Sequence, residues 1–266
     1  MFTGILNDED VKLKCGNCLE LMKDIPGGSV DMILCDLPYG TTQCKWDTVI
    51  PFEPLWEQYN RIIKDNGAIV LFGSEPFSTE LRHSNIKDFR YDWYWKKGNA
   101  KTGHLNAHRR PLFCIETISV FNTTSYKPQG LIPYNKITKR GHNGDCYSKS
   151  NTSNLQAFTN YPVQLLDFAK DGTLHPTQKP VELLEWLIKT YTNEGDTVLD
   201  PFMGSGTTAK MAIANNRNYI ESLPGVGRKT ANVFLSNIYE VSSSSRNFLA
   251  SSCCLKQESK ICVQFS

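Results

Sequence analysis

Val30-Asp-Met-Ile-Leu-Cys-Asp-Leu-Pro-Tyr-Gly40 is the stretch whose reading decides the fold. Val30, Met32, Ile33, Leu34 and Cys35 make a short, nearly continuous apolar run, the pattern of a strand covered on both faces, as in a parallel sheet flanked by helices. Asp36 ends that run, and Pro-Tyr-Gly behind it is turn chemistry. In an open α/β sheet, ligands bind beyond the carboxyl ends of the strands. Asp36, two main-chain carbonyls and Tyr39 then make one compact site suited to a planar base that bears an exocyclic amine. The carboxylate and a carbonyl accept its two N–H bonds, and the phenol ring stacks on its face.

A second turn of the same kind lies far downstream. Thr197, Val198 and Leu199 read as a short strand, and Asp200-Pro-Phe-Met-Gly-Ser-Gly-Thr207 as the turn from it into a helix. Gly204 and Gly206 let a backbone approach a ligand with no Cβ in between. A dinucleotide fingerprint runs Gly-x-Gly-x-x-Gly; Ala209 stands at its third glycine, which that fingerprint tolerates, so spacing alone leaves a dinucleotide open. Between the two turns, His175-Pro-Thr-Gln-Lys-Pro180 opens a helix. Pro180 is its expected first residue, and Leu183, Leu184, Leu187, Ile188 and Tyr191 recur on one face.

Together these strings resemble the amino-methyltransferases of DNA. Asp36-Leu-Pro-Tyr39 is similar to motif IV, usually Asp-Pro-Pro-Tyr. Leu37 replaces the first proline, keeping the backbone carbonyl that the position contributes but not the fixed φ. The likeness continues to Asp47 through Gly-Thr-Thr-Gln-Cys-Lys-Trp-Asp. Asp200–Thr207 is similar to motif I, which cradles S-adenosylmethionine, and His175–Pro180 resembles motif X, whose Thr177 and Lys179 lie near the methionine end of the cofactor. Motif IV first, then X and I, is the order of the permuted β class, and the likeness spans about residues 10 to 220.

The resemblance implies a Rossmann-like α/β sheet with helices on both faces and an inserted, loop-rich recognition region. It implies a catalytic set of Asp36, Leu37, Pro38 and Tyr39. It also implies S-adenosylmethionine held by Asp200, Phe202, Met203, Gly204, Ser205, Gly206, Thr207, Glu221, Thr177 and Lys179, with no metal. The partner is double-stranded DNA, and the reaction is methylation of adenine N6 on a base flipped from the stack. Methylation of cytosine N4 is the alternative, although that motif commonly opens with Ser. A catalytically impaired DNA-binding relic is the other. Monomer and homodimer both stay open.

With 266 residues, 40% of them apolar, the chain can bury one sizeable core and carry an inserted lobe. It has no run of 18 apolar residues and no signal-peptide core near its start, so neither membrane insertion nor export is expected; the expected place is the cytoplasm of a bacterial or phage-infected cell. Nine cysteines at irregular spacing, with Cys15-x-x-Cys18 lacking a second pair nearby, read as reduced thiols rather than zinc ligands or disulfides.

The net charge of +2 hides an asymmetry. Residues 81–150 hold 13 Lys and Arg against four acids, a local +9 that leaves −7 for the rest. Four of the five histidines and many aromatics share that segment, the composition of a footprint on a polyanion. Within it Asp92-Trp-Tyr-Trp-Lys-Lys97 alternates as a strand, with Trp93 and Trp95 on one face and facing the core.

The remaining periodicity predicts a helix over Pro54–Lys64 with Leu55, Ile62 and Ile63 inward, a break at Asn66-Gly67, and buried strands over Ala68–Phe72 and Glu116–Phe121. Residues 122–172, polar and without period, are expected to be a loop-rich target-recognition region inside a methyltransferase domain of residues 1–221. Asn218-Tyr-Ile-Glu221 starts like the second cofactor strand. Its acid, expected to bond the ribose hydroxyls, stands two places early against the family pattern, about 6–7 Å back along the strand.

Beyond it, Leu223-Pro-Gly-Val-Gly-Arg-Lys-Thr-Ala-Asn-Val233 resembles the helix-hairpin-helix of endonuclease-III-like glycosylases, with Lys229 at the Schiff-base position. The first helix of that motif, its catalytic Asp segment and its four-cysteine spacing are missing, so residues 222–238 read as a fragment. Residues 239–266, Ser-rich and without period, read as a disordered tail.

Overall fold

The computed structural model describes residues 11–15, 17–41, 47–123, 125–139, 153–170, 178–202 and 206–223. Their order is β1 (Val11–Cys15), α1 (Cys18–Met22), β2 (Val30–Asp36), α2 (Phe52–Ile62), β3 (Ile63–Gly73), α3 (Phe77–Ser84), β4 (Phe89–Lys96), β5 (Ile115–Phe121), β6 (Ile132–Lys139), β7 (Ser153–Thr159), β8 (Leu165–Asp167), α4 (Val181–Tyr191), β9 (Thr197–Asp200), α5 (Thr207–Ala214) and β10 (Asn218–Leu223).

Eight strands form one sheet in the order β1-β10-β9-β2-β3-β5-β4-β8. From β1 to β3 every neighbour is parallel; β5 runs antiparallel to both β3 and β4, and β8 is parallel to β4. The connections explain where a ligand belongs. From β2 the chain crosses through α2 to β3 on one side, and from β9 it crosses through α5 to β10 on the other. β2 and β9 lie side by side, Ile33 beside Leu199, so the strand order reverses between them. The crevice at the carboxyl ends of such a pair is where open α/β sheets bind ligands.

Alternation along β2 divides the core. Met32 and Leu34 pack with Leu183, Leu184, Leu187 and Ile188 of α4 and with Ala209 and Ala212 of α5. Ile33 and Cys35 point to the opposite face, against Met22 of α1, Leu55 and Tyr59 of α2 and Leu81 of α3. Helices therefore cover both faces, and the side chains of the α4 face are the ones its periodicity marked. Each fully buried aliphatic side chain of this kind contributes about 1.5–3 kcal/mol. Trp93 and Trp95 are buried on the α4 side. Asp31 ties the entry of the switch together, accepting the Thr197 amide at 2.9 Å and the Lys64 ammonium at 2.6 Å.

Several expectations need correction. Asn66-Gly67 does not break the chain: β3 starts at Ile63 and runs through it, accommodated by an irregularity opposite Val30 and Met32. Ile63 is thus a strand residue, and α2 starts two residues earlier than Pro54, which sits in its first turn where proline is tolerated. Pro180 is the cap of α4 rather than its first residue, with extended backbone (ψ 137°).

Among its described residues, the polar segment 122–172 contains three strands. β6 and β7 pair with each other antiparallel, and β8 joins the main sheet. The ribbon escapes sequence reading because neither of its faces is buried, so no alternation of apolar and polar residues marks it. Lys127–Val163 is a compact unit by itself. Asn122 and Thr123 belong instead to the main unit, bonded to the carbonyls of Gly67 and Asn66. β10 continues through Ser222 and Leu223, past the point where the sequence departs from its family. Residues 224–238, with most of the helix-hairpin-helix-like string, and 239–266 lie outside the described residues. No helix among the described residues is long and apolar enough to cross a membrane.

Candidate active site

Asp36 is the last residue of β2, and two side chains engage its carboxylate. The Tyr39 hydroxyl donates to Asp36 Oδ1 at 2.6 Å, and the Lys179 ammonium donates to Asp36 Oδ2 at 2.6 Å. Lys179 also lies 3.3 Å from Glu116 Oε2 and 4.9 Å over the Phe72 ring. Glu116 in turn pairs through Oε1 with Lys97 at 2.5 Å. The four charges alternate in sign, Lys97, Glu116, Lys179, Asp36.

Their electrostatics follow from that alternation. Burial disfavours the Lys179 ammonium, but Asp36 and Glu116 outweigh it and hold the lysine above its ordinary value. Burial likewise pushes Glu116 up, and Lys179 and Lys97 outweigh it and hold the carboxyl below its ordinary range. Burial, followed by the Asp36 and Glu116 charges, pushes the Tyr39 phenol well up, so it stays protonated and remains a donor.

The turn behind Asp36 is held by packing. Leu37 is buried in the cluster on the α1–α2 face, so an apolar anchor stands where the family's proline ring would restrain the chain. Pro38 is buried beside it. Gly40 has φ +68°, and its amide donates to Asp47 Oδ1 at 2.9 Å. Tyr39 rests against Phe77, ring centroids 5.1 Å apart.

On the neighbouring strand, Asp200 ends β9 and turns inward. Its Oδ1 accepts the Phe202 amide at 3.0 Å, and Thr208 and Cys35 also bond it. Burial, and further down the Asp36 charge, raise its carboxyl to about 6. The Asp36 and Asp200 turns therefore open onto the same edge of the sheet and feel each other's charge.

Gly206 caps α5 at φ +76°, a conformation suited to glycine, and the first turn of α5 carries neither an acidic side chain nor a side-chain cap. Asp200 holds the start of the strand-to-helix turn through the Phe202 amide. Phe202 is half-buried and Thr207 buried. β10 brings Glu221 to the level of Asp200 by strand register. The Glu221 side chain, Met203, Gly204, Ser205 and Thr177 lie outside the described residues.

Two participants escape the sequence reading, Lys97 and Glu116, while Asp47 is marked there only as the end of the motif IV likeness. Glu116 carried a signal, being a lone acid beside an apolar strand in a basic segment, the same pattern that marks Asp36. Lys97 was hidden in a run of basic residues, where a solvated face is the usual meaning.

Comparison with known proteins agrees with this geometry. Residues 30–221 match the family model described as DNA methylase, of the N6/N4 type. The Type II methyltransferase M2.MboI of Moraxella bovis is 28% identical over 238 residues, covering 80% of this chain and 83% of that protein. The DNA adenine methyltransferase YhdJ of Escherichia coli K12 is 28% identical over 230 residues, covering 77% and 75%. The fold is similar to that in the crystal structure of the M1.HpyAVI–SAM complex, with a TM-score of 0.56 at 23% identity, over 85% of this chain and 98% of that one.

Proposed function

Since the chain belongs to the N6/N4 DNA methylase family and is thereby an S-adenosylmethionine-dependent DNA methyltransferase, we propose that its target is the N6 amine of adenine in double-stranded DNA. The observation that carries this reading is the position of Asp36 with Tyr39 at the end of β2, beside the Asp200 turn at the end of β9.

The N6 amine is a weak nucleophile because its lone pair is delocalised into the ring. A hydrogen bond to the Asp36 carboxylate and another to the Leu37 carbonyl favour a pyramidal nitrogen with that pair localised. Tyr39 holds the flipped ring by its face. When bound, S-adenosylmethionine would supply a methyl on a sulphonium, for which the nitrogen pair would form the new C–N bond while the C–S pair returned to sulphur. As the nitrogen gains positive charge, Asp36 balances it, and one N–H proton then passes to solvent water to complete the product. In-line approach at about 3–3.5 Å makes positioning a large share of the rate.

The residues proposed to hold the cofactor are Asp200, Phe202, Met203, Gly204, Ser205, Gly206 and Thr207, with Thr177 and Lys179 toward its methionine end and Glu221 toward its ribose. Lys127–Val163 is proposed to contain the target-recognition element, and the basic excess of residues 81–150 the phosphate contacts. The Leu223–Val233 string is read as a further phosphate contact, without glycosylase chemistry.

The test is transfer of tritiated methyl from S-adenosylmethionine to mixed-sequence duplex DNA, followed by mass spectrometry of the nucleosides. N6-methyl-2′-deoxyadenosine is expected. N4-methyl-2′-deoxycytidine would move the target to cytosine, and no transfer at all would leave a DNA-binding relic.

A further inference from the structure

We propose that Glu116 is a positioning residue: it receives the Lys179 ammonium when the target amine claims Asp36, and Lys97 holds Glu116 in place for that exchange. This rests on the reading of Asp36 as the acceptor of the target amine.

The problem that the exchange solves is visible in the site. Both oxygens of Asp36 are already engaged, Oδ1 by Tyr39 and Oδ2 by Lys179, each at 2.6 Å. Each oxygen has a lone pair for a second donor, but an amine that takes the place on Oδ2 now held by the ammonium displaces Lys179. The Lys179 side chain is only 10% exposed, so it cannot simply turn into water. A buried ammonium left without an anion is strongly unfavourable. Glu116 removes that obstacle, because its Oε2 already stands 3.3 Å from Lys179. A shift of about 0.5 Å brings that separation to the 2.7–2.9 Å of a good charged hydrogen bond.

Lys97 makes the arrangement one-sided. It is buried, packs its ammonium 5.6 Å over the Trp95 ring and engages the other oxygen, Oε1. Glu116 is thereby fixed and ionised with one oxygen left for Lys179. The Phe72 ring under the ammonium confines Lys179 to the space between the two carboxylates. Among the described residues two further charged groups act here: Lys170, whose ammonium burial, then Lys97, push down while Glu116 opposes them, and Asp200, whose carboxyl the Asp36 charge helps to raise. The alternating row thus stays neutral while Lys179 moves from one carboxylate to the other.

The experiment is a double-mutant cycle on the full chain, measuring kcat for duplex DNA and the dissociation constant for S-adenosylmethionine. Glu116→Gln is expected to bind cofactor within about twofold of wild type and to lose about tenfold or more in kcat, because Lys179 then stays on Asp36. In a Lys179→Gln background, which removes the group to be moved, adding Glu116→Gln is expected to change kcat by less than about twofold. A purely structural role gives losses that multiply, and that result overturns the proposal, as does wild-type kcat in Glu116→Gln.

Should Glu116→Gln not fold, Glu116→Asp answers the same question. It keeps the charge but draws the carboxylate back by about one methylene, so cofactor binding should persist while kcat falls about fivefold or more; unchanged kcat overturns the exchange. Wild-type protein that transfers no methyl sinks the functional reading and this proposal with it. An active wild type with an unaffected Glu116→Gln sinks the exchange alone.

Discussion

Asp36 and Asp200 close two neighbouring parallel strands, and the Asp36 charge helps to keep the proton on Asp200. Two carboxylates at one sheet edge thus sit in opposite environments. Asp36 is paired with an ammonium and a phenol and reaches the surface; Asp200 is buried and bonded to backbone and hydroxyl. Such a division suits the roles proposed for them, Asp36 as the acceptor of the target amine and Asp200 as support of the cofactor turn.

The raised carboxyl of Asp200 has a consequence for stability. A carboxyl raised in the folded state to about 6, from an ordinary 3.8, contributes stability at low pH that is lost as pH rises through about 6. Asp200→Asn removes that ionisation. Its unfolding free energy relative to wild type should therefore improve on going from about pH 4 to pH 8, by on the order of 2–3 kcal/mol. Urea unfolding at the two pH values measures this; an increment that shrinks with pH contradicts the burial argument.

Asp36→Ala should reduce methyl transfer on the order of 10³-fold or more, since it removes the anion facing the developing charge. Lys179 keeps Glu116 as a partner in that variant, so the protein should still fold and bind S-adenosylmethionine. Tyr39→Phe keeps the ring and loses only the hydroxyl bond to Asp36, and a loss of roughly tenfold or less is expected. Single-turnover kinetics with cofactor titration separates these effects. Wild-type transfer by Asp36→Ala would remove the basis of the mechanism.

The sequence displayed the parts of the site that are built from one short segment. Asp36–Tyr39 is a strand end with its own turn, and α4 has a continuous apolar face; both signals are local. The Lys97–Glu116–Lys179 row is not local: each member comes from a different segment, and only the fold reveals that they meet. β3 was read short because its first half carries Lys64, Asp65 and Asn66, all exposed, before the strand enters the core. The β6–β7 ribbon was read as loop because exposure on both faces erases the period-two pattern. Pairing between backbones leaves no mark on composition.

Gly40 is the place where the backbone itself limits substitution. Its φ of +68° lies in the left-handed region, and a Cβ there would stand 2.9 Å from Val49 Cγ2. Gly40→Ala should therefore cost on the order of 1–2 kcal/mol and disturb the Gly40–Asp47 bond. Because the strain lies next to Tyr39 and away from β9, kcat should fall several-fold while the cofactor dissociation constant stays put. Thermal unfolding and cofactor titration give both numbers; a weakened cofactor with normal kcat would place this loop on the wrong half of the site.

The local excess of positive charge makes the last prediction. Lys101, Arg109 and Arg110 are exposed on the connection between β4 and β5, and Arg110 lies 4.9 Å over the Phe113 ring, which pre-orders it. If these three cations meet phosphates, each releases a counterion, and the logarithm of the DNA association constant falls by about 0.9 per contact for each tenfold rise in salt. Replacing all three with alanine should then make that slope shallower by about two to three and weaken binding equally for every sequence, because phosphate contacts carry no base information. Fluorescence anisotropy on two unrelated duplexes across about 50–300 mM salt reads both effects. An unchanged slope would move the phosphate contacts elsewhere on the basic segment, and a loss confined to one duplex would make these residues readers of bases instead.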